Sequence, residues 1–379
     1  MVGRRKAAAR ELEDASGCND LVDRLRLIRS ENVGPITYRA LLARFGTAAR
    51  ALNALSTLSA RGGRRAPLRI TGEKEAFEEL SEARAAGMQP VVLGTPLYPS
   101  LLSETGDAPP ILYARGKAAL LQTDSVAIVG ARNASAVGMR FAHDMAAALG
   151  ETGLVIVSGL ARGIDTAAHR GALTTGTTAV MAGGLDHVYP PENDGLYAEI
   201  CETGCALSEM PPGVVPKAQH FPRRNRIVAG IARAVVVVEG AARSGSLITA
   251  RLANEQGRDV LAVPGSPLDP RARGPNGLIR DGAAICEGVD DVLAVLELPR
   301  HSLREEGPSS LEMDLDACHS DATEARQALL ERLSFTPTDI DDLIRLCSIP
   351  PGLVNTAILE LELAGRAQRL PGHRVQLMG

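Results

Sequence analysis

The sequence predicts an α/β protein: a Rossmann-like, doubly wound parallel sheet with a small helical domain before it and a winged-helix domain after it. Three observations lead there. Short runs of branched apolar residues recur between residues 85 and 298, each closed by a glycine turn and followed by helical spacing. The flanking segments lose that alternation and keep only helical apolar spacing, with a final two-stranded pattern at the very end. The 379 residues are 45% hydrophobic and 23% charged, which is ordinary globular composition and enough chain for two or three domains.

In chain order, residues 15–66 form the first domain. Helical spacing over 19–58 is broken at Asn32-Val33-Gly34-Pro35 and resumes with Ile36, Ala40, Leu41, Leu42 and Phe45. Two short helices about a glycine turn make a helix-hairpin-helix, read here as a packing module rather than a phosphate clamp. Gly62-Gly63-Arg64-Arg65 is the connector that follows. The second domain spans 85–298, with strands at Val126-Ala127-Ile128-Val129, Leu154-Val155-Ile156-Val157, Thr178-Ala179-Val180-Met181, Ala234-Val235-Val236-Val237-Val238 and Val260-Leu261-Ala262-Val263. Continuous apolar strands alternating with helices belong to a sheet covered on both faces. Residues 299–324, with Pro299, Gly307-Pro308-Ser309-Ser310 and scattered acids, form a linker. From 325 to 379, helical spacing over Ala325 to Leu333, Asp339 to Leu346 and Leu353 to Leu363 precedes a hairpin of Arg369-Leu370 and Val375-Gln376-Leu377, the order of a winged helix.

Composition excludes several classes. Lys+Arg 41 against Asp+Glu 45 gives a formal charge of −4, so any anion site is a local concentration of charge. Only 3% of residues are aromatic and none is Trp, against RNA-binding sheets or single-strand barrels built on rows of rings. The six cysteines (18, 201, 205, 286, 318 and 347) contain no CxxC pair and favour neither zinc nor a disulfide framework. No run approaches the roughly 20 apolar residues of a membrane span. These points predict a reduced, cytoplasmic protein with no membrane partner.

Ligands of open parallel sheets bind beyond the carboxyl ends of the strands, and three loops there stand out. Gly130-Ala131-Arg132-Asn133-Ala134-Ser135 sets amides, a helix start near Val137 and a guanidinium together, a combination that suits phosphate. Ser158-Gly159-Leu160-Ala161-Arg162-Gly163-Ile164-Asp165 again joins strand to helix, with Asp165 as the expected N-cap. Glu239-Gly240-Ala241-Ala242-Arg243-Ser244-Gly245-Ser246 opens a helix near Leu247. One such loop often serves only tight packing, whereas three at one sheet edge point to a phosphate-bearing ligand. A nicotinamide fingerprint and a P-loop are both absent, so neither dinucleotide nor ATP chemistry of those types is expected, and no cofactor is.

Between Met210 and Val238 there is no Asp or Glu, yet Lys217, Arg223, Arg224, Arg226 and Arg233 fall there beside His220, Phe221 and Asn225. A basic track with one aromatic, next to phosphate-cradling loops, suits a single-stranded nucleic acid: Arg for the backbone and Phe221 as a stacking face.

These residues carry a family resemblance. Val126-Ala127-Ile128-Val129-Gly130-Ala131-Arg132, Ser158 to His169, Gly183-Gly184-Leu185-Asp186-His187-Val188-Tyr189-Pro190-Pro191-Glu192-Asn193, Phe221-Pro222-Arg223-Arg224-Asn225-Arg226-Ile227-Val228-Ala229-Gly230 and Ser244 to Ala250 resemble, in this order, the DNA-processing protein A (DprA/Smf) family. The likeness covers about Pro96 to Leu296, and the first domain resembles the family's SAM-like domain. It implies a non-enzymatic protein that binds and protects incoming single-stranded DNA in natural transformation, helps load the RecA recombinase and dimerises through the central domain. It places Arg132 in the DNA pocket, and Phe221, Arg224, Asn225 and Arg226 in a second DNA-facing motif near Lys217. With the loop residues, the expected DNA-binding set is Gly130, Arg132, Ser158, Gly159, Arg162, Gly163, Lys217, Phe221, Arg223, Arg224, Asn225, Arg226, Arg243, Ser244, Gly245 and Ser246.

Four other readings compete. Asp165 and His169, four apart, could form a base with its orienting carboxylate, but no nucleophile is tied to them, and an Asp N-cap with an exposed His is the commoner arrangement. Asp186-His187 with Glu192 lacks a third metal ligand at useful spacing. A nucleotide-binding or nucleotide-cleaving, phosphoribohydrolase-like protein of the related Rossmann-like fold is the main alternative; such enzymes carry a Pro-Gly-Gly-x-Gly-Thr loop where this chain has Glu239 to Ser246. For the winged helix, six basic against eight acidic residues from Ser320 onward argue against a duplex reader and for a protein contact.

Overall fold

The computed structural model describes residues 19–297, 319–347 and 349–378. The expected linker lies outside these apart from 319–324, as do Cys18, Cys318 and the start of the first expected domain. Two compact units are present, one within Met1–Glu78 and His301–Gly379, the other within Glu79–Arg300.

The described residues begin with α1 (19–29), α2 (Pro35–Phe45), α3 (Ala48–Arg61) and α4 (Glu73–Ala85). Asn32 turns the chain at φ +60°, and Gly34 and Pro35 start α2, where the missing proline N–H would have no helical partner anyway. Gly46 closes α2 at φ +76°, and the Thr47 hydroxyl accepts from the Arg50 amide at 3.3 Å to open α3.

The second unit holds a nine-stranded sheet: β1 (Gln89–Val92), β2 (Ile111–Gly116), β3 (Ser125–Val129), β4 (Val155–Ser158), β5 (Thr177–Val180), β6 (Cys205–Ser208), β7 (Ala234–Val237), β8 (Asp259–Ala262) and β9 (Ala284–Ile285). Its helices are α5 (Ser100–Ser103), α6 (Ala136–Glu151), α7 (Ile164–Gly171), α8 (Asp194–Thr203), α9 (His220–Ile231), α10 (Gly245–Glu255), α11 (Arg273–Arg280) and α12 (Val289–Glu297). The strand order is β1-β2-β6-β5-β4-β3-β7-β8-β9, parallel from β6 to β9, with β1 and β2 antiparallel at one edge. Alternation within β3 divides the core. Val126 and Ile128 pack with Ala142, Met145 and Leu149 of α6, whereas Ala127 and Val129 pack with Ile227 and Val228 of α9 and Ala250 of α10. The five strands expected from branched runs are present; β6 escapes such a search because Cys-Ala-Leu-Ser carries no β-branched residue.

The chain ends with α13 (His319–Arg332), β10 (Thr338–Asp339), α14 (Ile340–Cys347), α15 (Pro351–Leu363), β11 (Ala367–Leu370) and β12 (Arg374–Leu377), in sheet order β10-β12-β11, a winged helix. Gly372 at φ +77° makes the turn that pairs Leu370 with Arg374. α15 is apolar on two faces. Val354, Ala357, Ile358 and Leu361 fill the core shared with Leu329, Ile340 and Val375. Leu359 and Leu363 enter the core of the N-terminal helices, against Tyr38, Leu52 and Leu55. A helix with two apolar stripes is one packed on both sides. Asn32 donates to the Leu363 carbonyl at 3.2 Å, and a Cβ on Gly62 would stand 2.0 Å from the Glu360 carbonyl oxygen, so only glycine fits there. The N-terminal helices and the winged helix, which the sequence reading separates, share one unit because α15 needs both partners.

Glu362 is 6% exposed, and burial pushes its carboxyl from 4.5 up to about 7, although the Arg369 amide donates to it at 2.8 Å. A raised carboxyl favours folding below its unfolded pKa and loses that contribution as pH rises through about 7. Glu362→Gln should therefore gain melting temperature relative to the wild type as pH goes from 5 to 8. A difference that stays flat in calorimetry across that range would refute it.

Candidate nucleic-acid interface

β3 is the switch point of the sheet: the chain steps from it through α6 to β4 on one side and returns to β7 on the other. Beyond the carboxyl ends of β3 and β7 lies a cleft of about 820 Å³. Nine predicted residues line it: Gly130 and Arg132 after β3, Gly159 after β4, Phe221, Arg224 and Asn225 on α9, and Ser244, Gly245 and Ser246 at the start of α10. A smaller cleft of about 340 Å³ adjoins it, sharing Arg132, Asn133, Gly159, Ala161 and Phe221 and adding Arg162, Tyr189 and Pro190.

Arg132 and Phe221 stand between the two. The Arg132 guanidinium lies 5.1 Å from the Phe221 ring centre, and Phe221 meets Tyr189 edge-on at 5.6 Å and 65°. Among the described residues no carboxylate pairs with Arg132, which is exposed at the mouth. Arg224 lies beneath, 7% exposed, donating to the Val180 carbonyl at 3.0 Å. Burial lowers its pKa to about 10, with the like charge of Arg132 adding to the effect and Asp165 opposing it. Gly159 makes room for it, since a Cβ there would lie 1.5 Å from Nη1.

The helix starts differ from expectation. At α6 the Ser135 hydroxyl accepts from the Gly138 amide at 2.9 Å, while the Glu239 carboxylate accepts from the Ser135 amide at 2.9 Å and its hydroxyl at 2.6 Å. A side-chain anion already occupies the place foreseen for phosphate in the first loop. Asp165 is not an N-cap: it lies inside α7, buried, and accepts from the Gly159 and Ala161 amides at 3.1 and 3.3 Å, which takes up two of the second loop's donors. Burial raises its carboxyl against the pull of Arg224 and those amides. His169 is not exposed but wholly buried, with Nδ1 2.7 Å from the Thr177 hydroxyl and its pKa pushed down to about 3 by burial, so it is neutral and structural. At α10 the N-cap Ser244 caps no amide. Its hydroxyl lies 2.5 Å from that of Ser246, and the helix start opens on the larger cleft. The Gly245 and Ser246 amides at this start meet no acceptor among the described residues and are available to an anion.

The remaining predicted residues are not brought to the larger cleft. Ser158 is fully buried, donating to the Ile128 carbonyl at 2.7 Å. Gly163, at φ +75°, lets the second loop pass under the first, where a Cβ would lie 2.3 Å from the Ala131 oxygen. Arg226 is 8% exposed and tied to Glu209 at 2.7 Å; Arg223 pairs bidentately with the same carboxylate at 3.1 Å. The acid that balances this stretch is thus Glu209, one residue before the acid-free run. Arg162, on the smaller cleft, pairs with Glu192, whereas Lys217 and Arg243 are exposed outside both clefts. The sequence reading omitted Tyr189 and the Asp269–Arg271 pair at 2.9 Å, which lines the larger cleft. Their signal was available: Tyr189-Pro190 lies inside a quoted motif, and Asp269 and Arg271 follow β8 at the same sheet edge.

Sheet topology and switch crevice define a Rossmann-like protein with a cleft at the carboxyl edge of its sheet, preceded in the chain by a helix-hairpin-helix and followed by a winged helix. The chain belongs to the DNA recombination-mediator protein A family, whose sequence profile matches residues 89–297. Profiles of the DprA-like N-terminal HHH domain and the DprA winged helix domain match 19–82 and 316–373. Protein Smf of Escherichia coli is 38% identical over 283 residues, 74% of this chain and 75% of its own length. DNA processing protein A of Streptococcus pneumoniae superposes with a TM-score of 0.61 at 38% identity, covering 73% of this chain and 97% of that one. The Helicobacter pylori protein, whose structure is described for its single-stranded DNA binding mode, gives 0.51 at 30% identity, with 55% and 95% covered.

The two arginine environments predict opposite phenotypes. Arg226→Ala leaves buried Glu209 with only the half-exposed Arg223 and should cost about 1.5–3 kcal/mol of stability, as loss of a hydrogen bond to a charged group does. Arg132→Ala should stay within about 0.5 kcal/mol of the wild type, as exposed substitutions do. Denaturant titration of both variants checks this, and equal losses would contradict it.

Proposed function

We propose that this chain is a non-enzymatic single-stranded DNA-binding protein of DNA uptake, acting in the cytoplasm as a homodimer that protects the incoming strand and helps load the RecA recombinase on it. The observation that carries the reading is Arg132: an exposed cation, unpaired among the described residues, over Phe221 at the mouth of a cleft that also contains the open start of α10. Arg132 supplies a phosphate contact, the α10 amides supply a second, and Phe221 supplies a ring for an unpaired base. A cation over a ring at an exposed site contributes about 0.5–1 kcal/mol, weak enough to yield to a phosphate. Duplex DNA keeps its base faces stacked inside and offers Phe221 nothing. The described binding of single-stranded DNA by the Helicobacter pylori relative supports the reading. So does the engagement of Asp165 and His169 in packing, which leaves that pair no base to offer a substrate.

Fluorescence anisotropy of a labelled single strand across a salt series tests it, with duplex and free nucleotides as competitors. Arg132→Ala should weaken binding and lower the salt slope by about one unit or less, the loss of a single phosphate contact. Unchanged affinity in the folded variant, or displacement by nucleotide alone, would overturn the reading.

A further inference from the structure

The proposed function leaves Glu239 without a role, although its carboxylate sits at the switch point of the sheet. α6 has no acidic residue in its first turn. Its negative complement comes from Glu239, which lies 104 positions after Ser135 and just past β7. One carboxylate oxygen accepts from the Ser135 amide at 2.9 Å and the other from the Ser135 hydroxyl at 2.6 Å, while that hydroxyl accepts from the Gly138 amide at 2.9 Å. Gly138 admits the carboxylate, since a Cβ there would lie 2.6 Å from the Glu239 carboxyl carbon. Ser135 and Gly138 are thus both fitted to an anion, and the chain supplies that anion itself. The two loops that bring the pair together also line the larger cleft, at Gly130 to Asn133 and at Ala241.

In doubly wound sheets, the helix that follows the switch strand is where a nucleotide sets its phosphate, on free amides at the positive end of the helix. Glu239 places a fixed negative charge there. An incoming phosphate has to displace a carboxylate that is tethered to the same fold, and so present at high effective concentration, while meeting its like charge. We propose that Glu239 makes the cleft selective for a strand over free nucleotides: it stands in for phosphate at the α6 start and denies that place to a terminal phosphate or pyrophosphate. Arg132 and the α10 start are left to the singly charged phosphodiesters of a strand. A free nucleotide without its anchor at α6 keeps few charge contacts, whereas a strand gains one at each phosphate it brings to a cation. The inference rests on the single-strand reading above for the ligand that is favoured; the exclusion itself involves no DNA.

Pyrophosphate, titrated into the full-length protein by calorimetry, is the probe. Glu239→Ala should bind it at least about tenfold more tightly than the wild type, the worth of one hydrogen bond to a charged group. Glu239→Gln, which keeps an acceptor oxygen for the Ser135 amide, should gain less. In protein carrying isotope-labelled serine, the Ser135 amide resonance should move with pyrophosphate in Glu239→Ala and stay fixed in the wild type. Pyrophosphate should also displace a labelled single strand from Glu239→Ala at concentrations that leave the wild-type complex intact. No gain in folded Glu239→Ala, an equal gain in Glu239→Gln, or a strand on Glu239→Ala that resists pyrophosphate would overturn the proposal. A pyrophosphate-induced shift of Ser135 in the wild type would overturn it without any substitution. Failure of the wild type to bind a strand would instead remove the reading above, with the pyrophosphate measurements still standing.

Discussion

A buried arginine holds the cleft together. Arg224 comes from α9, passes under the second loop through the space left by the missing side chain of Gly159, and ends on the carbonyl of Val180 at the tip of β5. A guanidinium taken out of water costs several kcal/mol unless an anion accompanies it, and Asp165 is that anion. Asp165 in turn gathers the amides of Gly159 and Ala161. Strand, loop and two helices thus meet around these two buried groups. Above that floor the exposed cation is a different residue, Arg132.

The same division explains the crowd of arginines after Met210. Charge in a sequence is counted residue by residue, but each arginine's role depends on which way its helix turns it. On α9, Arg224 faces the cleft floor, Arg226 faces Glu209 and Asp107 on the far side, and Arg223 closes over Glu209 from outside. Three neighbouring residues of one basic motif therefore have three environments, and none is the exposed, unpaired cation that the mouth of the cleft offers.

The sheet was legible because buried parallel strands write themselves as branched apolar runs, and the glycine loops after β3, β4 and β7 announce the strand ends. Arg132, Phe221 and the α10 start were legible for the same reason, since topology alone brings them to one edge. What could not be read was competition for donors. Nothing local says that Glu239, from the loop after β7, crosses the switch to cap α6, or that Asp165 turns back on its own loop. Both are contacts between segments distant in sequence or folded back, and both convert an apparent phosphate site into a filled one. Likewise, the spacing of Leu353 to Leu363 shows a helix but not that two different cores claim it.

That shared helix places Leu27 to Leu68 and Leu359 to Leu363 in one hydrophobic body. Asn32 and the Leu363 carbonyl it contacts are separated by 331 positions, with the whole central sheet between them. At a synthesis rate of about 5–20 residues per second, the first helices wait roughly 20–60 s for Leu359 and Leu363 to emerge and complete their core. The central unit carries its contacts within its own span and has no such delay. Order of assembly is thus inverted relative to order of synthesis: the helices made before the central unit are completed after it, and until then their apolar face against α15 stays open.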